Sequence, residues 1–231
     1  MRHSLLPYLY SANVRTAYEG IPLVSPAYYY SDSPLAHAKA FRNEYYFGEQ
    51  LFVSPITSPS KGGVSTQEVW LPSGEWYDFF SGEKFEARDK NGVIFKREYA
   101  LDEYPVFAKA GAIVPMIENL DDNSQSFESL KIKVFTGKEN SFVLYDECEN
   151  SEKKAENNDD KTAVNRLFER DNKDLEKLAS IRFDLKESDG KWTLEITPLA
   201  NCKTRRINII STHVKSCALD LTAREKVVVE I

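Results

Sequence analysis

The chain has 231 residues, 42% hydrophobic and 29% charged, which suits one or two compact units, each with a core of its own. Thirty Lys plus Arg against 36 Asp plus Glu leave a net charge of −6, and no basic block is long enough to track a phosphate backbone, so nucleic acid is not expected as a partner. No stretch approaches the roughly 20 apolar residues that cross a bilayer, and Met1-Arg2-His3 leads into no signal-peptide segment. The expectation is a soluble, cytoplasmic chain with no membrane partner, any export label lying upstream.

From Ser4 to Gly20, Leu5, Leu6, Leu9, Val14, Ala17 and Tyr18 recur at three- and four-residue steps and predict one amphipathic helix. Ser4 is its candidate cap, Pro7 is tolerable in the first turn, and Gly20 with Pro22 ends it. Leu23-Val24 predicts a short strand, and Ser33-Pro34 opens a second helix expected to run through Phe41. Helix, strand, helix is the texture of the end of an α/β barrel. Eight of the 12 tyrosines fall within the first 50 residues, a large apolar load for two short helices. The segment therefore calls for a partner surface, most of a barrel, or for self-association through the tyrosines.

Beyond Glu49, short apolar or alternating runs separated by Gly, Pro and Ser predict strands joined by tight turns. Gln67–Leu71 and Trp76–Phe80 flank Pro72-Ser73-Gly74 as a hairpin, with further strands at Val93–Phe95, Val106–Ala108 and Ala112–Val114. After a polar connection at 120–129, alternation resumes in Leu130, Ile132 and Val134. It continues in Ile181, Phe183 and Leu185, and in Trp192, Leu194 and Ile196 beyond the turn at Asp189-Gly190. Asp146–Lys161 is acidic and lacks periodicity, so it reads as a solvated loop between strands of a second antiparallel sandwich.

Four blocks carry a resemblance. SLLPYLYS (Ser4–Ser11), FGEQLFVSPI (Phe47–Ile56), VWLPSGEWYDFFSGE (Val69–Glu83) and YPVFAKAGAIVPM (Tyr104–Met116) stand in the order seen in family 31 glycoside hydrolases, the α-glucosidase and α-xylosidase family, at the end of the catalytic barrel and just after it. FVLYDE (Phe142–Glu147) is similar to the opening of the distal sandwich in that family, although Cys148 interrupts the acids and no glycine follows. Ser25 stands before Pro26 where family members generally carry Arg. The resemblance implies a mainly β chain: a helix and strand remnant of a (β/α)8 barrel (1–50), a proximal β-sandwich (51–122) and a distal β-sandwich (123–231), both antiparallel.

Hydrolysis of a glycosidic bond with retention needs two carboxyl groups about 5 to 5.5 Å apart, one as nucleophile and one as acid/base. The resemblance places both on earlier barrel strands, in Trp-, Asp- and Met-rich motifs absent here, so no catalytic, substrate-binding or metal residue is assigned and the chain alone is expected to be inactive. Asp32, Glu44 and Glu49 are candidate acids, but isolated carboxylates beside loops are expected to be solvated or to cap helices. The aromatic cluster Trp76, Tyr77, Phe79 and Phe80 suits a sandwich interior, with stacking on sugar rings as its rival role; for Trp70 the two stay open.

His3, His37 and His213 have no metal-ligand spacing, and Cys148, Cys202 and Cys217 match neither a zinc ribbon nor a redox pair, so free thiols are expected. The acids of 146–160 lack the spacing of a Ca²⁺ loop. There is no nucleophile elbow, phosphate loop or dinucleotide fingerprint, and no cofactor is expected. The sequence thus points to the non-catalytic C-terminal portion of a retaining α-glycosidase, whose partners are the remaining barrel and an α-glycoside or oligosaccharide substrate. The alternative is a stand-alone carbohydrate-binding sandwich.

Overall fold

A computed structural model describes residues 3–118, 127, 129–146, 178–202, 205–211, 217–221 and 225–231. The acidic loop beyond Asp146, Cys148 and His213 lie outside the described residues. The chain is mainly β and groups into two compact units, one of 22–112 with 135–138, the other of 1–21, 113–134 and 139–231. Among the described residues no helix is long and apolar enough to cross a membrane.

The 22–112 unit contains β1 (Val24–Pro26), β2 (Tyr45–Phe47), β3 (Leu51–Val53), β4 (Val64–Leu71), β5 (Gly74–Asp78), β6 (Lys84–Ala87), β7 (Val93–Ala100) and β8 (Val106–Lys109). Six of them form a sheet in the order β1-β2-β3-β8-β5-β6, every neighbouring pair antiparallel. β4 and β7 form a second sheet, paired from Val64 opposite Ala100 to Leu71 opposite Val93. Phe52, Trp76 and Phe107 from the first sheet share one core with Val69, Trp70 and Leu71 from the second. This is sheet-on-sheet packing closed by side chains from both inner faces. Phe85 stacks on Phe95 with ring centres 4.8 Å apart, and both meet Phe107 edge-on at 5.6 and 5.9 Å.

Two local expectations change. β4 and β5 do not form a hairpin: they lie in different sheets, because Leu71 pairs with Val93 while Gly74 pairs with Ala87. Pro72-Ser73 is the crossing between sheets, and its Pro72 carbonyl accepts from Trp76 Nε1 at 2.8 Å. The helix expected from Ser33 is a single 3-10 turn, Pro34–His37. Ser33 Oγ accepts from the Leu35 N–H at 3.3 Å as a cap, but Ala38 is already extended at ψ 137°. One turn is too short to sustain a helix unaided, and Ala36 and Phe41 are instead drawn into the core.

Trp70 is fully buried, and its Nε1 donates to the Asn91 carbonyl at 2.7 Å. The neighbouring Gly92 has φ +90°, and a Cβ there would lie 2.2 Å from the Leu71 carbonyl oxygen and 2.5 Å from Trp70 Nε1. Both the backbone conformation and the space therefore demand glycine. Gly92→Ala is expected to cost about 3 kcal/mol, from left-handed strain plus overpacking. Chemical denaturation checks this, and a loss within ~0.5 kcal/mol would contradict it.

The other unit contains α1 (Leu6–Glu19), β9 (Ile113–Ile117), β10 (Ser129–Val134), β11 (Asn140–Asp146), β12 (Ala179–Ser188), β13 (Lys191–Ala200), β14 (Arg205–Ser211), β15 (Cys217–Leu221) and β16 (Val227–Glu230). Its sheets run β15-β14-β10-β9 and β11-β12-β13-β16. All pairs are antiparallel except β10 with β14, which is parallel, Leu130 opposite Ile207 and Ile132 opposite Ile209. The alternation of Leu130, Ile132 and Val134 and of Ile181, Phe183 and Leu185 is realised: all six are buried. Asp189 and Gly190 both take positive φ, 53° and 75°, in the two-residue turn joining β12 to β13.

α1 packs on β11 and β9. Its buried residues are Pro7, Tyr8 and Ser11, with Leu5 buried at the N-cap, while Leu6 is 45% exposed and Ala17 is exposed, a departure from the face that the spacing suggested. Tyr8 fixes the buried face by stacking on Phe142 at 5.9 Å. Ser11 Oγ donates to the Pro7 carbonyl at 2.8 Å and accepts from the Tyr145 N–H at 3.0 Å, tying helix to strand. No side chain caps the start; Ser4 is buried, and its carbonyl accepts from Ile117 N–H at 2.7 Å. Gly20 ends the helix in the left-handed conformation at φ 72°, as expected.

Candidate functional site

The three candidate acids occupy three different environments. Asp32 is exposed in the loop before the 3-10 turn. Glu44, just before β2, is only 4% exposed. Its Oε1 accepts from Ser54 Oγ at 2.8 Å and from the Trp70 N–H at 3.0 Å, while Oε2 has no hydrogen-bond partner. Burial pushes this carboxyl up to about 8, against the opposing pull of the Trp70 and Ser54 hydrogen bonds. Glu44 is therefore a buried structural acid, not the solvated one that the sequence suggested.

Glu49, in the turn between β2 and β3, lines a cleft of about 390 Å³ inside the 22–112 unit. Tyr46 and Trp76 contribute aromatic lining, and Tyr30 stands 4.9 Å from Tyr46 with the rings at 77°. Burial raises the Tyr46 phenol well above its usual range, with Tyr30 adding to the effect. Sheet hydrogen bonding fixes the walls: Trp76 is opposite Lys109, Lys109 N–H donates to the Gln50 carbonyl at 3.1 Å, and Ala110 N–H donates to the Glu75 carbonyl at 2.8 Å. Glu75 is held by Lys84 at 3.1 Å. Lys138 closes the lining from the segment that follows Gly137.

The aromatic residues divide. Trp70, Trp76, Tyr77 and Phe79 are buried, so core packing is the role of each. Phe80 is the exception: it turns out of the strand after Asp78, whose Oδ1 accepts from the Phe80 and Ser81 N–H groups at 2.9 and 2.8 Å, and packs edge-on against Tyr104 at 5.3 Å. Its ring is half-exposed. Ser25 is buried, and its Oγ has no hydrogen-bond partner. His37 stacks on Tyr28 at 5.1 Å, and Cys202 and Cys217 are free thiols, half-buried. Burial pushes the Cys202 thiol up. Among the described residues no group of three or more His, Cys, Asp or Glu is placed to hold a metal.

The acid that sequence reasoning assigned to a solvated loop is Asp146. It is instead the last residue of β11, buried with Arg205 of β14, Oδ2 to guanidinium at 2.6 Å. Arg205 also donates to the Phe127 carbonyl at 2.8 Å. No local signal marks the pair, since the partner comes from a distant strand.

Fold and side chains together define a β-sandwich region with buried structural carboxyls, in which the three candidate acids stand apart in three different environments. Residues 20–114 match the family model for the glycosyl hydrolase family 31 C-terminal domain. The matches support a C-terminal region of the glycoside hydrolase family 31 type. An alpha-xylosidase of Saccharolobus solfataricus (strain ATCC 35092 / DSM 1617 / JCM 11322 / P2) is 33% identical over 150 residues, covering 64% of this chain and 19% of that protein. Neutral alpha-glucosidase C of Mus musculus is 35% identical over 117 residues, covering 50% of this chain and 12% of that protein. The solved GH31 alpha-xylosidase of Xanthomonas citri shares the fold over 99% of this chain and 24% of its own, at 21% identity and a TM-score of 0.69. The chain thus spans less than a quarter of the proteins that it resembles.

Proposed function

We propose that this chain is the non-catalytic C-terminal portion of a retaining α-glycosidase, α-glucosidase-like, which supports a catalytic barrel and depends on it for chemistry. The observation that carries the reading is the mismatch of coverage: nearly all of this chain aligns on the Xanthomonas citri enzyme, yet it accounts for only 24% of that protein. Glu44, the best-buried of the candidate acids, is committed to a strand amide and a serine, which suits a scaffold and not an acid/base pair. Three consecutive tyrosines, Tyr28, Tyr29 and Tyr30, are 53%, 56% and 43% exposed, which supports a missing partner surface over the tyrosine-rich segment.

The substrate class of the reading is an α-linked glucoside or xyloside, by analogy with the alpha-xylosidase and alpha-glucosidase relatives. A chromogenic assay tests it: the 231-residue chain alone should give no turnover of nitrophenyl α-glucoside or α-xyloside, while the same chain joined to its barrel should hydrolyse one of them. Turnover by the chain alone at the rate of the joined protein overturns the scaffold reading. Burial of Trp70 and Trp76 removes the two rings on which a stand-alone sugar-binding sandwich would have relied.

A further inference from the structure

β16 stands at the end of its sheet, and among the described residues it pairs on one side only, with β13. Its other side is a row of backbone donors and acceptors open to another strand. The Ile231 N–H donates to the Trp192 carbonyl at 2.9 Å, so Ile231 and, by alternation, Val229 and Val227 turn their backbone groups toward β13. Lys226, just before the strand, Val228 and Glu230 turn theirs to the open side. Side chains alternate with the same period, so these residues also share the outer face. Val228 is 55% exposed, and the side chains of Lys226 and Glu230 are 50% and 62% exposed.

The stretch Lys226-Val227-Val228-Val229-Glu230 has opposite charges placed symmetrically about Val228. Laid antiparallel on a second copy with Val228 opposite Val228, it sets Lys226 against Glu230 at both ends, and the facing residues exchange about six backbone hydrogen bonds. Only this register does both. A slip of one residue would set outward amides against residues that face β13, and a slip of two would break the facing of Lys226 with Glu230. Parallel pairing would bring the two lysines side by side as like charges. An edge lysine ordinarily deters a neighbouring strand. Here the deterrent is cancelled by one partner, another copy of the same segment.

We propose that the open edge of β16 is a docking surface for a second copy of this chain, joining two β11-β12-β13-β16 sheets across a two-fold axis at Val228. The contact is smaller than the ~1,200 Å² at which standard interfaces begin, so the dimer is weak, with a dissociation constant in the high micromolar range.

Sedimentation velocity of the 231-residue chain, from about 10 µM to about 1 mM, tests the proposal, and the expected result is a monomer giving way to a dimer. Lys226→Glu alone and Glu230→Lys alone set like charges face to face and should each weaken the dimer about tenfold or more. The two substitutions together restore opposite charges across the axis and should bring the affinity back, although Glu195 and Lys191 of the same chain then meet like charges. That rescue separates pairing between copies from an effect on the strand itself. Val228→Pro removes an outward N–H, leaves the bonds to β13 in place and should abolish the dimer. In the unaltered chain, the amides of Lys226, Val228 and Glu230 should gain protection from hydrogen exchange as concentration rises, while those of Val227 and Val229 stay as they are; this carries the test if a variant fails to fold. A monomer throughout, association that both single reversals leave unchanged, or amides at 226, 228 and 230 that gain no protection overturns the surface. The scaffold reading is decided separately, by turnover of the chain with and without its barrel.

Discussion

Asp146→Ala should lower stability by about 3 to 5 kcal/mol, the expected cost of leaving a buried charge without its counter-ion. Arg205 and Asp146 have side chains only 2% and 3% exposed, so water cannot take over the interaction. Arg205 Nε already has no hydrogen-bond partner, and Asp146 removal would leave the guanidinium donating to the neutral Phe127 carbonyl in place of a carboxylate. Urea denaturation followed by circular dichroism measures the loss. The paired substitution Asp146→Leu with Arg205→Met should lie well above Asp146→Ala, because it removes both charges at similar volume. A single-variant loss below ~1 kcal/mol would show that solvent reaches the guanidinium.

Glu44 should make the 22–112 unit weaken as pH rises from about 4.5 to about 8. Its carboxyl is raised from 4.5 to about 8, so between those values the folded state holds a proton that the unfolded state has released. The stability contribution is whole below about pH 4.5 and is lost as pH rises through about 8, with a slope of roughly 1.4 kcal/mol per pH unit within the window. Glu44→Gln keeps an oxygen to accept from Ser54 and Trp70 and has no proton to lose. Its thermal midpoint should therefore fall less between pH 5 and pH 8, and at pH 8 it should exceed the wild type by a few kcal/mol equivalent, about 2 to 4 on this slope. Parallel pH profiles for the two proteins would show that Glu44 is already ionised in the fold.

These cases mark what the sequence could and could not disclose. Leu130, Ile132 and Val134 were legible as a strand because one buried face leaves a period of two, and Asp189-Gly190 was legible because only certain residues tolerate positive φ. Strand partners were not legible. Pro72-Ser73-Gly74 has the composition of a turn, yet whether a turn joins paired strands depends on where Val93 and Ala87 dock, and that is set by the whole core. The same holds for charges: Asp146 looks like the first acid of a polar run until Arg205 arrives from β14. Trp70 could not be assigned by alternation because Val69, Trp70 and Leu71 are all buried at the end of β4. The cleft was hidden for a related reason, since its lining comes from separate segments, among them Tyr30, Glu75, Lys109 and Lys138.

The opening helix seats Tyr8 and Ser11 on β11, a strand that begins only at Asn140. During synthesis that helix must wait for most of the chain to leave the ribosome before its own docking surface exists. For the same reason no single scissors cut divides the protein into its two units. A piece starting at residue 113 would lose the phenol that covers Phe142, and a piece ending at 112 would carry an unhoused amphipathic helix.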